Sequence, residues 1–142
     1  MYKFTLPGDW SDSSANKELN RAKNNKHVYE SAKKKTQNLI SEYIHLELHG
    51  VRITEPFAFV MVFYCKNRAT DPTNHHFLSK HVLDAAQNCK LITNDGWFQV
   101  AGNVAYEYEI DKDNPRVEVF FLCGVKLRHY PNRLIQQHGK KK

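Results

Sequence analysis

The sequence predicts an α+β domain with a mixed four-stranded sheet and two main helices, in the order β-α-β-α-β-β. Three observations lead to this class. Residues 57–65 form an apolar run of strand length, and residues 27–48 carry apolar side chains at helical spacing. Residues 98–122 have the composition of two strands separated by a polar turn. Strands and helices in this irregular succession are typical of an α+β domain.

The size of the chain predicts one domain. A chain of 142 residues can bury a real core but is too short for two independent cores. Hydrophobic content of 41% and aromatic content of 12% are ordinary for a globular protein. We expect the domain to cover residues 1–130 and a basic, disordered tail to follow at 131–142.

The cysteines and the start of the chain predict a cytoplasmic location. Cys65, Cys89 and Cys123 are an odd number and lie in apolar contexts, which favours free thiols in a reducing compartment. No apolar stretch is long enough to span a membrane. The first six residues are interrupted by Pro7-Gly8 too early for a signal peptide.

The first strand and the first helix occupy the N-terminal third. Residues 2–6 alternate like a short strand, and a polar loop runs to Asn25. The helical pattern extends from about His27 to Leu48, and Gly50 provides its C-terminal stop. The apolar side of this helix is predicted to contain Val28, Ala32, Leu39, Ile40, Tyr43, Ile44 and Leu48.

The second strand and the second helix follow. The strand from Phe57 to Cys65 is apolar on both faces, so we expect it at the centre of the sheet with helices covering it. Asp71 can cap a helix whose first residue is Pro72. The core-facing stripe of this helix is predicted to contain Leu78, Val82, Ala85, Ala86 and Cys89.

Two further strands complete the predicted fold. The Asn94-Asp95-Gly96 turn leads into a third strand at Phe98–Ile110, and a fourth strand covers Arg116–Leu122. Tyr106 and Tyr108 share a strand face, where they are expected to fill the core or a dimer interface.

An acidic block surrounds the second predicted helix. It contains three carboxylates, Asp71, Asp84 and Asp95, together with Asn74 and Lys80. Neighbouring carboxylates repel one another unless a cation or a proton lies between them. Hard oxygen ligands suit Mg²⁺, with Mn²⁺ as the alternative. Lys80 and Asp84 are helical neighbours at i,i+4, a spacing that also occurs in ordinary solvated ion pairs.

Basic residues flank this acidic block, and the formal net charge is +6. The tail adds Arg133 and residues 140–142 without an acid. Each basic run alone is compatible with a solvated surface, but together they favour nucleic acid as the partner. The predicted DNA-binding residues are Lys17, Arg21, Lys23, Lys26, Lys33, Lys34, Lys35 and Arg68.

Four motifs in this order resemble the RusA-type Holliday-junction resolvases of bacteria and their phages. The motifs are Asp71-Pro72-Thr73-Asn74, Lys80, Val82-Leu83-Asp84-Ala85 and Asn94-Asp95-Gly96-Trp97. The likeness covers roughly residues 1–122. It implies a RusA-like fold and a small homodimeric endonuclease that binds four-way DNA junctions and nicks paired strands with Mg²⁺, in DNA recombination and repair.

The resemblance also implies roles for individual residues. Asp71 and Asp95 would hold the metal, and Lys80 would assist at the phosphate or the leaving group. Asn74 would orient a ligand carboxylate or the attacking water, and Asp84 would be a partner of Lys80. Carboxylate-held cations and a lysine point charge are suited to phosphodiester hydrolysis.

One departure from the family pattern affects the predicted activity. Thr73 stands where the family has a second Asp, so the site loses a negative charge and metal affinity. Either Asp84 or water fills the gap in a working nuclease, or the chain is a weakened or inactive DNA-binding or regulatory relative. A purely protein-binding factor is the rival from another class.

Local sequence alone also allows structural roles for these residues. Asp71 can serve only as a helix cap, and Asp95 only as a turn residue. Trp97 and Phe98 can stack on DNA bases, but burial against the sheet is the expected outcome.

Overall fold

The computed structural model describes residues 1–10, 25–69, 77–94, 96, 98–100 and 104–124. The elements in that part of the chain are β1 (Tyr2–Pro7), α1 (Lys26–Leu48), β2 (Phe57–Cys65), α2 (Phe77–Asn88), β3 (Val104–Ile110) and β4 (Arg116–Cys123). The strands form one mixed sheet in the spatial order β1-β4-β2-β3. The predicted α+β class, with a mixed four-stranded sheet and two helices, is confirmed.

Strand β2 is an interior strand of the sheet. It pairs in parallel with β3 and antiparallel with β4, so Phe59 lies between Val104 and Phe121. Eight of its nine residues are buried, and Val60 is half-buried. The apolar composition of β2 therefore follows from its place in the sheet.

The main core lies between one face of the sheet and the two helices. Phe121 is at its centre, with ring centroids 6.2 Å from Phe4, 5.2 Å from Phe57 and 5.5 Å from Phe59. The rings of Phe57 and Phe59 meet Phe121 edge-on, which is a favoured aromatic geometry. Truncation of a buried phenylalanine such as Phe121 costs about 3–5 kcal/mol.

The second face of the sheet is also buried, but the described helices do not reach it. Its cluster consists of strand residues, namely Ala58, Val62, Tyr64, Phe120 and Leu122. Buried side chains of α1 and α2, such as Ile40 and Val82, belong to the first cluster. The expectation that helices cover both faces of β2 is therefore wrong for the described part of the chain.

Helix α1 is capped by Asn25 at its start and is followed by the predicted stop signal, Gly50. The Asn25 side chain accepts hydrogen bonds from the amides of His27 (3.2 Å) and Val28 (3.3 Å). Gly50 has a φ of 77°, a left-handed conformation that glycine adopts without strain. No helix in the described ranges is both long enough and apolar enough to cross a membrane.

The buried face of α1 is narrower than predicted. Ile40, Ile44 and Leu48 are buried, whereas Val28 is 51% exposed and Leu39 is 41% exposed. At about 100° per residue, Leu39 lies about 100° and Val28 about 120° away from Ile40 around the helix. These two positions fall outside the stripe that faces the sheet, so their prediction as core residues was wrong.

Helix α1 also protects an edge of the sheet. Strand β1 is an edge strand, so alternate backbone amides have no neighbouring strand. The amide of Thr5, in the middle of β1, donates a hydrogen bond to Glu47 Oε2 near the end of α1. A helix side chain thus satisfies the outward amide of the edge strand.

Strand β3 is shorter than predicted. It begins at Val104 rather than at Phe98, and residues 98–100 form a turn instead. Tyr106 and Tyr108 pack against the main core, which confirms their predicted direction. The Tyr106 hydroxyl contacts Ser79 Oγ at 2.9 Å and so joins β3 to α2. Burial raises the pKa of Tyr108 to about 12, and the nearby Tyr106 and Cys65 add to this rise.

Candidate functional site

The predicted site residues fall into two groups. Lys80 and Asp84 lie in α2. The other candidate site residues lie outside the described residues, and these are Asp71, Thr73, Asn74 and Asp95. Their predicted roles as ligands or as partners of the metal therefore stay predictions.

Lys80 and Asp84 form the ion pair that their i,i+4 spacing predicts. Lys80 Nζ lies 3.2 Å from Asp84 Oδ1. The second oxygen, Asp84 Oδ2, accepts a hydrogen bond of 3.2 Å from Gln37 Nε2 on α1. Asn88 in turn donates to Gln37 Oε1 at 3.2 Å. Both oxygens of Asp84 thus contact protein donors.

The hydrogen bond from Gln37 on α1 supports the ion pair between Asp84 and Lys80 on α2. The Lys80 side chain is 65% exposed, so its ammonium can reach a ligand in solvent, whereas the Asp84 side chain is 19% exposed. The Gln37 side-chain amide accepts a hydrogen bond from Asn88 and donates one to Asp84, which fixes its orientation. Gln37 thus orients Asp84, and Asp84 orients Lys80.

Gln37 was not among the site residues predicted from the sequence, although a signal was present. Gln37 precedes Ile40 by three residues and Ile44 by seven, which is the spacing of one helix face. A glutamine on a buried stripe requires a polar partner. That requirement predicts a polar contact between helices, although it does not identify Asp84 as the partner.

A buried histidine lies beside this ion pair. His81 is 4% exposed, and its ring lies 5.4 Å from the Phe77 ring, measured between centroids. Within the described residues, its Nδ1 has no hydrogen-bond partner. Burial lowers the pKa of His81; Asp84 acts in the opposite direction, and Lys33 on α1 lowers it further. His81 is therefore neutral at pH 7.

The described residues around position 95 are joined by hydrogen bonds. The amide of Gly96 donates to Asn94 Oδ1 at 2.6 Å, and the amide of Val100 donates to the Gly96 carbonyl at 3.0 Å. A Cβ added at Gly96 would lie 2.8 Å from Asn94 Oδ1. Any side chain at position 96 would therefore displace Asn94.

Gln99 joins residues 93 and 94 to the segment that precedes β2. Its side chain is completely buried. Its Oε1 accepts hydrogen bonds from the amides of Thr93 and Asn94, each 2.7 Å long. Its Nε2 donates to the carbonyl of Ile53 and, at 3.4 Å, to that of Glu55. No local pattern in the sequence distinguishes Gln99 from a surface glutamine.

Phe98 projects away from the protein. It is 73% exposed, so the expectation of its burial against the sheet is wrong. The neighbouring Gln99 turns inward to reach Ile53, and the chain turns rather than extending as a strand. Phe98 is thus carried on the outer side of the same turn.

The described neighbours of Asp71 and Asp95 lie at opposite ends of β2. Ala69 follows the C-terminal end of this strand, whereas Asn94 is tied through Gln99 to the segment before its first residue. A nine-residue strand spans about 30 Å. The described residues that flank the two aspartates therefore do not lie close together.

The described part of the predicted DNA-binding set is open to solvent. Lys26, Lys34 and Lys35 are exposed on the N-terminal half of α1, and Arg68 is exposed after β2. Lys33 is half-buried because it faces α2 and His81. Lys17, Arg21 and Lys23 lie outside the described residues.

A separate charged cluster lies on the second face of the sheet. Glu118 is buried, and it pairs with Lys3 and, at 3.4 Å, with Arg116. The Arg116 guanidinium lies 3.7 Å from the centre of the Tyr64 ring. Burial alone would raise the pKa of Glu118, but hydrogen bonds and charge from Lys3, with help from Tyr64 and Arg116, lower it overall. This cluster stabilises the sheet.

The described residues do not by themselves form a metal centre. No group of three or more histidine, cysteine, aspartate or glutamate side chains able to hold an ion occurs in the described ranges. Because Asp71 and Asp95 are outside those ranges, the predicted Mg²⁺ site stays a prediction.

Comparison with known proteins did not identify a relative. No model of a protein family matches this chain, and no sequence among curated proteins matches it.

Proposed function

We propose that this protein is a metal-dependent, structure-specific endodeoxyribonuclease of the RusA type that binds and nicks four-way junctions or other branched DNA. The observation that carries the proposal is the solvent-facing Lys80 held by Asp84, with Gln37 behind it. A lysine that a neighbouring carboxylate positions, and whose side chain is largely exposed, is suited to contact a phosphate. The order of acidic motifs on either side of Lys80 supports the same reaction.

Asp71 and Asp95 would hold the cation in this proposal. Carboxylate oxygens fit Mg²⁺, with Mn²⁺ as a possible substitute. When bound, the cation would polarise the phosphate and lower the pKa of a water molecule. Asn74 would orient that water or a ligand carboxylate, and Lys80 would stabilise negative charge that develops on the phosphate.

The proposed assembly is a homodimer in the cytoplasm. A four-way junction has near two-fold symmetry, and one nick alone does not resolve it, so two copies related by a two-fold axis suit the substrate. The exposed lysines at 26, 34 and 35 would neutralise phosphates along the DNA arms.

The second candidate is a DNA-binding or regulatory protein with weakened or absent cleavage. Two observations favour it. Thr73 supplies no charge to the site, and Asp84, the carboxylate nearest in sequence that could replace it, is engaged by Lys80 and Gln37. In this candidate the chain would bind junctions without nicking them.

Incubation of the purified protein with a labelled four-way junction and a linear duplex, in Mg²⁺ and in Mn²⁺, tests the proposal. We expect symmetric nicks in the junction that are lost in Asp95→Asn. Asp113→Asn is the matched control, because it makes the same chemical change on an exposed turn at the other end of β2 from Asn94. Equal nicking by both variants would refute the role of Asp95.

The same assay separates the two candidates. Junction binding without nicks, together with new cleavage in Thr73→Asp, would establish the inactive relative. DNA binding that does not change with salt concentration would instead favour the protein-binding factor, because contacts with phosphates are strongly salt-dependent.

A further inference from the structure

Phe98 is unusual among the described aromatic residues because its ring lies mostly in solvent. It is 73% exposed, whereas Phe4, Phe57, Phe59 and Phe121 are completely buried. A phenylalanine in water gives up the favourable transfer that burial would provide. The exposed ring is therefore available to a ligand that would cover it in the working state.

The ring is carried on a firmly held turn. Gln99, the next residue, is completely buried and bonds to the amides of Thr93 and Asn94 and to the carbonyl of Ile53. The Gln99 carbonyl also accepts a hydrogen bond of 2.7 Å from the amide of Phe57, the first residue of β2. Because these bonds fix the backbone beside Phe98, little conformational freedom remains to be lost when a ligand covers the ring.

Phe98 is also close in the chain to the proposed reaction site. It follows Asp95 by three residues, and three residues span at most about 10 Å. A nucleotide whose phosphate lies at Asp95 therefore has its base within reach of the ring. Aromatic side chains stack on nucleic-acid bases without requiring a particular sequence.

We infer that Phe98 stacks on a base that is exposed at the branch point, and that it distinguishes branched DNA from linear duplex. This role rests on the proposed function and extends it. In a linear duplex both faces of each base are covered by its neighbours, and opening them costs a few kcal/mol. At a branch the stacking is interrupted, so a base face is open to the ring.

Equilibrium binding without a divalent metal, so that no strand is cut, tests this inference. The full chain is compared with Phe98→Ala, Phe98→Trp and Phe98→Leu on a four-way junction and on a linear duplex of equal length. Leu46→Ala is the matched control, because Leu46 is 77% exposed on α1 and away from the turn. A 2-aminopurine base at the branch reports the loss of stacking between bases.

We expect Phe98→Ala to weaken junction binding by about ten-fold or more while duplex binding stays the same. Phe98→Trp should restore junction binding, and Phe98→Leu should not. The dependence of affinity on salt should be the same for wild type and Phe98→Ala, because stacking releases no counterions. The 2-aminopurine signal on binding should be lost together with the ring.

Two results would overturn the inference while leaving the proposed function intact. In one, Phe98→Ala binds the junction as tightly as wild type, which would mean that the ring contacts a protein partner and not DNA. In the other, Phe98→Ala weakens junction and duplex equally, which would make the ring a general contact. Failure of the wild-type chain to bind either DNA at low salt would refute the proposed function itself, and this inference with it.

Discussion

Gln99→Leu is the substitution whose effect follows most directly from the structure. Leucine keeps the approximate volume of glutamine in a completely buried position, but it removes an acceptor for two amides and a donor to the Ile53 carbonyl. The amides belong to Thr93 and Asn94, whose side chains are exposed, so water can replace part of what they lose. Ile53 is buried, and its carbonyl loses a donor in a place that water reaches poorly.

The size of the effect can be worked out from these contacts. Each accepted hydrogen bond contributes about 0.5–1.5 kcal/mol, and an unsatisfied buried carbonyl costs about 1–3 kcal/mol. The buried leucine returns part of this loss, so we expect the free energy of unfolding to fall by about 2–4 kcal/mol. For a domain of this size, the melting temperature should fall by roughly 5–15 °C.

Urea denaturation at pH 7 measures this change, with Gln87→Leu as the control because Gln87 is exposed on α2. The control should stay within about 0.5 kcal/mol of wild type. Hydrogen exchange should also become faster at the amides of Thr93 and Asn94 in Gln99→Leu. A loss below about 1 kcal/mol, with exchange at these amides unchanged, would refute the bonding role assigned to Gln99.

Three further predictions concern charged groups. Asp84→Asn should cost less than about 1 kcal/mol of stability because Lys80 is mostly exposed. The rate of single-turnover cleavage should fall by a larger factor than the DNA affinity. Equal cleavage rates for Asp84→Asn and wild type would contradict the positioning of Lys80. The pKa of Glu118 is lower in the folded chain, so the stability that it contributes is present above about pH 4.5 and is lost as the pH falls through the folded value. Acid titration of Glu118→Gln should lack this loss, and a curve that parallels wild type would contradict it. The pKa of His81 is also lowered by folding, so stability should decline as the pH falls below about 6.5, where the unfolded chain binds a proton that the folded chain does not. In denaturant titrations, His81→Leu should flatten this part of the curve of stability against pH, and an unchanged slope would refute the assignment.

Much of the secondary structure was predictable because its signals are local. The bounds of β2, Phe57–Cys65, agree with the sequence prediction, since Pro56 and the apolar run mark both ends. Helix α1 ends at Leu48 as predicted, with Gly50 in a left-handed conformation. The spatial order of the strands was not predictable, because it depends on pairing between residues far apart in the chain.

The candidate site was predictable only where one element contains both partners. The contact between Lys80 and Asp84 follows from their spacing on a single helix. The hydrogen bond from Gln37 to Asp84 joins residues 47 positions apart, and no periodicity links them. Phe98 was predicted to be buried because it was assigned to a strand, and the contacts of Gln99 that prevent this extension are also long-range.

The contact between Thr5 and Glu47 has a consequence for how two molecules can meet. An unprotected edge strand offers its outward amides to any extended segment nearby, and this is a common route to self-association. Here a carboxylate from a 23-residue helix occupies such an amide in the middle of a six-residue strand. A foreign strand would have to displace both the carboxylate and the helix end that carries it. The folded molecule thus opposes growth of the sheet by strand addition at this point of β1.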